Sequence, residues 1–458
     1  MALIKSISGI RGTIGGTVGE AFTPIDIVKF SAAFGSWLMQ KTNNRNIIVG
    51  RDARLSGLMV NNLVISTLQA LGMNVIDTGL STTPTVEMAV ANESVAGGII
   101  ITASHNPKQW NALKLLNAKG EFINDQDGKE VLDIAQKENF KFAQIDDLGT
   151  VSFKNYFEFH IDKIIELQYV NLQAIKKRKF KVAIDCINST GGIVLPMLLN
   201  RLGVFDIVEI NCDPTGDFAH NPEPLPQNLS QIAAAVVAEG CDLGIVVDPD
   251  VDRLCFVNED GTFFGEEYTL VAIADYVLGI NGGGNTVSNL SSTRSLRDVT
   301  QKHGGIYTAS AVGEVNVVEA MRATNALIGG EGNGGIILPE LHYGRDALVG
   351  VALFLSQLAL AQTSISALRA AFPNPFMSKE KIDLNPDSDL KRILEQMYER
   401  YADQRCNRVD GLRIDFEDSW VHLRGSNTEP IIRIYAEAPT EKEAKALTQK
   451  IVDEINTF

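Results

Sequence analysis

Gly97-Gly98-Ile99-Ile100-Ile101-Thr102-Ala103-Ser104-His105-Asn106-Pro107 is an apolar run bounded by glycines that turns abruptly polar. The apolar part reads as a buried strand, and the polar hexapeptide as the loop at that strand's carboxyl end. In open α/β sheets, ligands bind outside such carboxyl ends. Pro107 opposes continuation into a helix, so Ser104 is a candidate nucleophile on a stiff, exposed loop. Residues 102–106 could equally serve only to satisfy loop backbone groups.

The same layout recurs twice. Leu243-Gly244-Ile245-Val246-Val247 runs into Asp248-Pro249-Asp250-Val251-Asp252-Arg253. Carboxylates at alternate positions share a face and can converge on one hard cation. Without a cation they would repel one another. Farther on, Leu327-Ile328 leads into Gly329-Gly330-Glu331-Gly332-Asn333-Gly334-Gly335. These glycines let backbone approach a ligand closely and leave Glu331 and Asn333 as the polar side chains; a flexible surface loop is the other reading. Between these segments strands alternate with helices, which implies parallel sheets with right-handed crossovers. Thr23 and Pro24 should start a helix reaching about Gln40. Strands are expected over 46–49, 74–78, 180–185, 286–290 and 304–308, with a hairpin over 256–264. Lys176 to Lys179 reads as a solvated lead-in to the strand at 180. Residues 347–361 form an apolar stretch too short to span a bilayer, hence a core helix. From Pro373 the pattern changes to two helices, over 389–402 and 441–456, flanking strands over 411–416, 420–423 and 431–437.

At 458 residues the chain exceeds one ordinary domain. The expected division is 1–150, 151–256, 257–372 and 373–458. The net charge of −15 argues against nucleic acid and against an anionic membrane surface as partners. Five cysteines without CxxC spacing suggest reduced thiols in a cytoplasmic protein. No signal peptide is apparent, since Ser8, Gly9 and Arg11 interrupt the apolar start.

Ala103-Ser104-His105-Asn106-Pro107 resembles the phosphoserine loop of the α-D-phosphohexomutases, and Asp248-Pro249-Asp250-Val251-Asp252-Arg253 matches that family's magnesium loop residue for residue. The glycine-rich segment is similar to its sugar-specificity loop, although the common bacterial form has serine and histidine where this chain has Asn333 and Gly335. Arg424-Gly425-Ser426-Asn427-Thr428-Glu429-Pro430 resembles its phosphate-binding loop. Ser8 to Thr13, Gly50 to Ser56, Asn111 to Lys114 and Phe218 to Pro224 also look like family segments. The resemblance runs in order along essentially the whole chain. It implies three related α/β units and a carboxyl-terminal α+β lid around a central cleft. It implies that hexose 1- and 6-phosphates are interconverted, with Mg²⁺ as cofactor and hexose 1,6-bisphosphate as activator, in a monomer or homodimer.

By that resemblance Ser104 carries the phosphoryl group and, with Asp248, Asp250 and Asp252, holds the metal. Arg11, His105, Lys114 and Arg253 are expected around the reacting atoms, with Lys114 as general acid–base. Glu331, Asn333 and Gly313 would read the sugar. Arg424, Ser426, Asn427, Thr428 and Arg433 would grip the distal phosphate, a role that planar, multiple donors suit. For Arg51 and Arg54, ligand contact and an Arg–Asp pair pinning a turn are both open. Glucosamine phosphate is the expected substrate, with mannose and glucose phosphates as the alternative. A metal-dependent sugar phosphatase would share the acidic loop but gives no reason for a second phosphate loop, and a catalytically dead binding protein gives none for an intact Ser104 and aspartate set.

Overall fold

The computed structural model describes residues 2–6, 9–383, 389–425 and 431–457. Strands β1 (Leu3–Ser6), β2 (Gly9–Thr13), β3 (Asn46–Arg51), β4 (Asn74–Leu80), β5 (Gly97–Ile101), β6 (Trp110–Leu116) and β7 (Val151–Phe153) form one mixed sheet in the order β1-β2-β6-β5-β3-β4-β7. A second sheet, β11-β10-β8-β9, contains β8 (Lys181–Asp185), β9 (Asp206–Ile210), β10 (Leu243–Val247) and β11 (Leu254–Asn258). The third, β13-β12-β14-β15, contains β12 (Asn285–Asn289), β13 (Tyr307–Ser310), β14 (Ala326–Glu331) and β15 (Gly335–Ile337).

These three sheets share one topology. Read from the same edge, their common parts are β6-β5-β3-β4, β11-β10-β8-β9 and β15-β14-β12-β13. In each, three strands run parallel and the outermost runs antiparallel. The polar loops singled out in the sequence occupy equivalent places, joining β5 to β6, β10 to β11 and β14 to β15. Three α/β units are therefore present, related by topology even where no sequence repeat is visible.

The helix starting at Pro24 runs to Lys41; Thr23 caps it and shares a capping box with Asp26, while Pro24 supplies a ready-made first turn. The helix Ala347–Ala361 is buried on nearly every face and belongs to an apolar core continuous between the second and third sheets. That all-round burial is what its apolar sequence dictates. The first sheet and the carboxyl-terminal unit keep separate cores.

The carboxyl-terminal sheet is antiparallel throughout, in the order β16-β20-β19-β18-β17. It comprises β16 (Phe376–Asp383), β17 (Arg405–Asn407), β18 (Leu412–Asp415), β19 (Trp420–Gly425) and β20 (Ile431–Ala438), packed on the helices Leu390–Arg400 and Glu441–Ile455. Its outer strands β16 and β17 were not expected. Only Ser378 of β16 is buried, and Lys379, Glu380 and Lys381 mark a solvated edge rather than an alternating core strand.

Lys176, Lys177 and Lys179 are exposed ahead of β8, as a solvated lead-in requires, and Lys176, Lys177 and Arg178 form the last turn of a helix, Leu172–Arg178, where cations suit the carbonyl end. One further expectation is corrected. The strand anticipated over 304–308 begins at Tyr307, after Gly304 turns with φ +74°. All five cysteines are free, with Cys186, Cys241 and Cys255 buried. Among the described residues no helix is long and apolar enough to cross a membrane.

Candidate active site

Ser104 ends the extension of β5 in a left-handed conformation, φ +48°, and is 7% exposed. It is thus buried, contrary to the expectation of an exposed loop. The left-handed region is costly for a non-glycine residue and persists only where surrounding structure enforces it. Here Arg54 does the enforcing. Its guanidinium donates to the carbonyls of Ser104, Asn106, Pro107 and Trp110, and its Nε to Asp52 Oδ2 at 3.1 Å. Thr102 completes the clamp by donating its hydroxyl to Asp52 at 2.7 Å and accepting from the Ser104 amide at 2.9 Å. Of the two readings of Arg54, the structure displays the pinning one, and the turn it pins is that of Ser104.

The loop from β10 to β11 is wound tightly. Asp248 Oδ1 accepts the amides of Asp252 and Arg253, both at 3.1 Å, while Val251 adopts φ +62°, rare for a β-branched residue. This winding turns Asp248, Asp250 and Asp252 inward, fully buried, with one oxygen of each within 4.8 Å of the others. The Ser104 hydroxyl donates to Asp248 Oδ2 at 2.7 Å, so the serine and the acidic loop, 144 residues apart, form one site.

Lys114, on β6, reaches the same carboxylates, 2.7 Å from Asp250 and 3.3 Å from Asp252. Thr83 donates to Asp250 at 2.6 Å. Burial opposes the Lys114 charge, but Asp250 and Asp252 outweigh it and hold its pKa above the usual value. Asp248 is pushed well above the carboxylate range by burial and then by Asp252 and Asp250. Asp250 Oδ1 and Asp252 Oδ1 are buried without a hydrogen-bond partner among the described residues. Orphaned oxygens from crowded carboxylates fit a hard divalent cation, which would satisfy both and relieve the repulsion.

His105 places Nδ1 3.4 Å from the Ser104 hydroxyl. Burial, then the charge of Arg253 and further those of Arg345 and Arg11, keep this imidazole well below its usual pKa, so it is neutral near pH 7. The same influences place Arg11 and Arg253 in the electrostatic surroundings of the serine loop. Arg11 lies on β2, across from Ala112 of β6 and Ile4 of β1. Arg253 rests 3.4 Å from Glu223.

At the end of β14, Glu331 Oε1 accepts from Asn289 at 2.8 Å and from the Gly313 amide at 3.2 Å, which joins two of the expected sugar-reading residues. Its Oε2 meets Arg345 at 2.9 Å. Asn333 turns back to accept the Gly335 amide at 3.3 Å. In the carboxyl-terminal unit, Arg424 and Arg433 are direct cross-strand partners, and Lys381 is the partner of Arg433 on its other side. Like charges directly opposite destabilise a sheet unless an anion bridges them. Arg424 is held by Asp410 at 2.7 Å, and Asp410 also accepts the Val312 amide at 3.0 Å, tying this row to the loop of Gly313. Ser426, Asn427 and Thr428 lie outside the described residues.

Sequence reasoning missed Arg345, Lys381 and Asp410, and left Arg54 undecided. Arg345, Lys381 and Asp410 sit in no strand-end motif: Arg345 and Asp410 reach other segments through side-chain contacts, and Lys381 is paired with Arg433 across the sheet. A second group that could hold a metal, His160, His342 and Asp346, closes on itself: Asp346 Oδ2 meets His160 Nε2 at 2.9 Å and His342 Nε2 at 3.4 Å.

Residues 3–142, 158–261 and 265–376 match, in turn, the phosphoglucomutase/phosphomannomutase alpha/beta/alpha domains I, II and III, and residues 381–454 match the C-terminal domain of the same family. The chain belongs to the phosphoglucomutase/phosphomannomutase family. Among its relatives in that family, a phosphoglucomutase/phosphomannomutase of Thermococcus kodakarensis is 35% identical, covering 95% of each chain. A probable phosphoglucosamine mutase of Methanopyrus kandleri is 32% identical over 97% of this chain and 96% of its own. A crystal structure of a phosphoglucomutase/phosphomannomutase family protein from Burkholderia thailandensis superposes with a TM-score of 0.85 at 26% identity, covering 99% of this chain and 96% of that one.

Proposed function

We propose that this phosphohexomutase interconverts the 1- and 6-phosphates of a hexose, glucosamine phosphate first, through phosphorylated Ser104 and a hexose 1,6-bisphosphate. The observation that carries the reading is the hydrogen bond from Ser104 to Asp248 within a set of three buried carboxylates. Asp248, Asp250, Asp252 and Ser104 would hold Mg²⁺, which bound there neutralises charge on phosphoryl oxygens.

In the forward half-reaction a sugar hydroxyl attacks phosphorus. The bond from phosphorus to Ser104 Oγ breaks, a new bond to the sugar oxygen forms, and the hydroxyl proton ends on the serine. Arg54 keeps Ser104 in place throughout, so little reorganisation is needed, which is where phosphoryl-transfer catalysis gains most. Lys114, whose ammonium donates to Asp250 and Asp252 beside the serine loop, is the proposed general acid–base, entering the cycle as the acid; a Lys114→Met variant is expected to lose most turnover. The bisphosphate then turns over and returns its other phosphoryl group to Ser104. Arg433, Arg424 and Lys381 would bind the phosphate that is not reacting, in either orientation, together with Ser426, Asn427 and Thr428. That second cationic site favours a mutase over a phosphatase.

Glu331, Asn333 and Gly313 are the proposed sugar-reading residues. The names of the relatives support both glucosamine phosphate and the glucose and mannose phosphates as substrates. The test is a panel of glucose, mannose and glucosamine 1-phosphates, each with a catalytic amount of hexose 1,6-bisphosphate. The expected result is 6-phosphate formed fastest from the glucosamine compound. Inorganic phosphate released faster than any isomer would sink the mutase reading.

A further inference from the structure

Arg345 precedes the buried helix Ala347–Ala361, and its guanidinium is divided among three carboxylates from separate segments: the loop after β10, the start of the helix Glu314–Thr324 and the end of β14. Nη2 donates to Asp252 at 2.7 Å, Nε to Glu314 at 2.8 Å and Nη1 to Glu331 at 2.9 Å. The side chain is nearly enclosed, with 10% of it accessible. Its stem lies across Gly335: a Cβ at that position would sit 2.3 Å from Arg345 Cδ and 2.9 Å from Cγ. The glycine that ends the Glu331 loop therefore makes the room through which Arg345 reaches Asp252. Lys114 is a second cation on the same Asp252 oxygen.

We propose that Arg345 is a positioning residue that couples the acidic loop to the sugar loop, fixing Glu331 for the substrate while competing with the metal for Asp252. This rests on the reading of Asp252 as a metal ligand and Glu331 as the acceptor of sugar hydroxyls. The two roles have opposite signs. At Glu331 the guanidinium is an anchor: its planar fork fixes one carboxylate oxygen and leaves the other to Asn289 and Gly313. Without it, Glu331 and Glu314 would face each other unneutralised and shift apart. At Asp252 the same guanidinium is a rival to any incoming cation, because it neutralises the carboxylate and occupies Oδ2. A residue that merely stabilised the fold would, on removal, weaken metal and sugar binding together.

The test measures Mg²⁺ affinity of the sugar-free protein by titration calorimetry, and kcat and KM for the hexose phosphates, in wild type, Arg345→Met, Arg345→Lys and Gly335→Ala. Arg345→Met should bind Mg²⁺ about 10-fold more tightly, since one competing charge has gone. Its kcat/KM should fall roughly 10- to 100-fold, chiefly through KM, with the differences between hexose phosphates narrowed. Arg345→Lys should restore part of the KM. Gly335→Ala, which displaces the arginine stem while keeping its charge nearby, should move both quantities in the same directions by smaller factors, and it carries the test if Arg345→Met does not fold. Mg²⁺ affinity that is unchanged or weakened while kcat/KM falls would overturn the coupling, as would unchanged kcat/KM. If wild type itself binds no Mg²⁺, the assignment of Asp252 to the metal fails first and this inference falls with it.

Discussion

Arg54 shows how a single side chain can decide whether a nucleophile is ready. Its charge is buried, 1% exposed, and its donors face four loop carbonyls as well as Asp52. Removing one partner of a buried ion pair costs about 3–5 kcal/mol, because the other charge is left uncompensated. Arg54→Met should therefore lower stability by that order in denaturant titration. Turnover of the surviving folded fraction should also drop, since Ser104 loses what holds its left-handed backbone. Retained stability together with normal turnover would show that the loop holds itself. At this scale the sequence was readable wherever chemistry follows a strand: Ser104, Asp248, Asp250 and Asp252 converge as expected. It was opaque for Arg345 and Lys381, whose meaning comes only from the segments they meet, and ambiguous for Arg54, whose neighbour Asp52 suggested the pin but not what was pinned.

Among the elements, the helix Ala347–Ala361 carries the clearest consequence. Asp346 caps it by accepting the amides of Leu348 and Val349, and its other oxygen meets His160 and His342. Thr85 on the helix Thr83–Glu93 in turn meets His160 at 2.9 Å, so one cap ties together elements of three units. Burial alone would raise the Asp346 pKa, but His160 and then His342 outweigh it and hold the carboxyl below the usual range. A carboxyl depressed in the folded state contributes stability that is present above its unfolded pKa of about 4 and is lost as pH falls toward the folded value. Asp346→Ala should cost about 1–2 kcal/mol near neutrality from the lost cap alone, and should flatten the decline of stability between about pH 5 and pH 2. An unaltered acid limb in the variant would refute this. The helix itself was legible from its apolar run, as was the helix beginning at Pro24 from its cap. Strand β16 was not, because along this edge strand only Ser378 is buried and Lys379, Glu380 and Lys381 are exposed in succession, which leaves no period of two to betray it.

For the whole molecule, an acidic chain combines three units of one topology with an antiparallel carboxyl-terminal sheet; the role proposed for that arrangement is to gather cations locally around a sugar phosphate. The sequence suggested related units from three strand ends. Their common strand order could not be read from it, because pairing between distant strands leaves no local mark. Across the carboxyl-terminal sheet, Lys381, Arg433 and Arg424 stand in one row. If this row grips phosphate without reading which carbon bears it, Arg433→Ala should weaken binding roughly 10- to 100-fold for the 1- and 6-phosphates alike. A large rise in KM for one isomer only would mean the row is not the shared distal site. The central claim is that Ser104 stores the phosphoryl group between half-reactions, and it is tested most directly by a chase. The protein is loaded with phosphate-labelled hexose 1,6-bisphosphate, freed of excess, mapped by mass spectrometry, and then mixed with glucosamine 1-phosphate. The account predicts label on Ser104 that passes to a sugar bisphosphate and thence to glucosamine 6-phosphate, and no labelling of a Ser104→Ala variant. Label on another residue, or label leaving Ser104 only as inorganic phosphate, would contradict it.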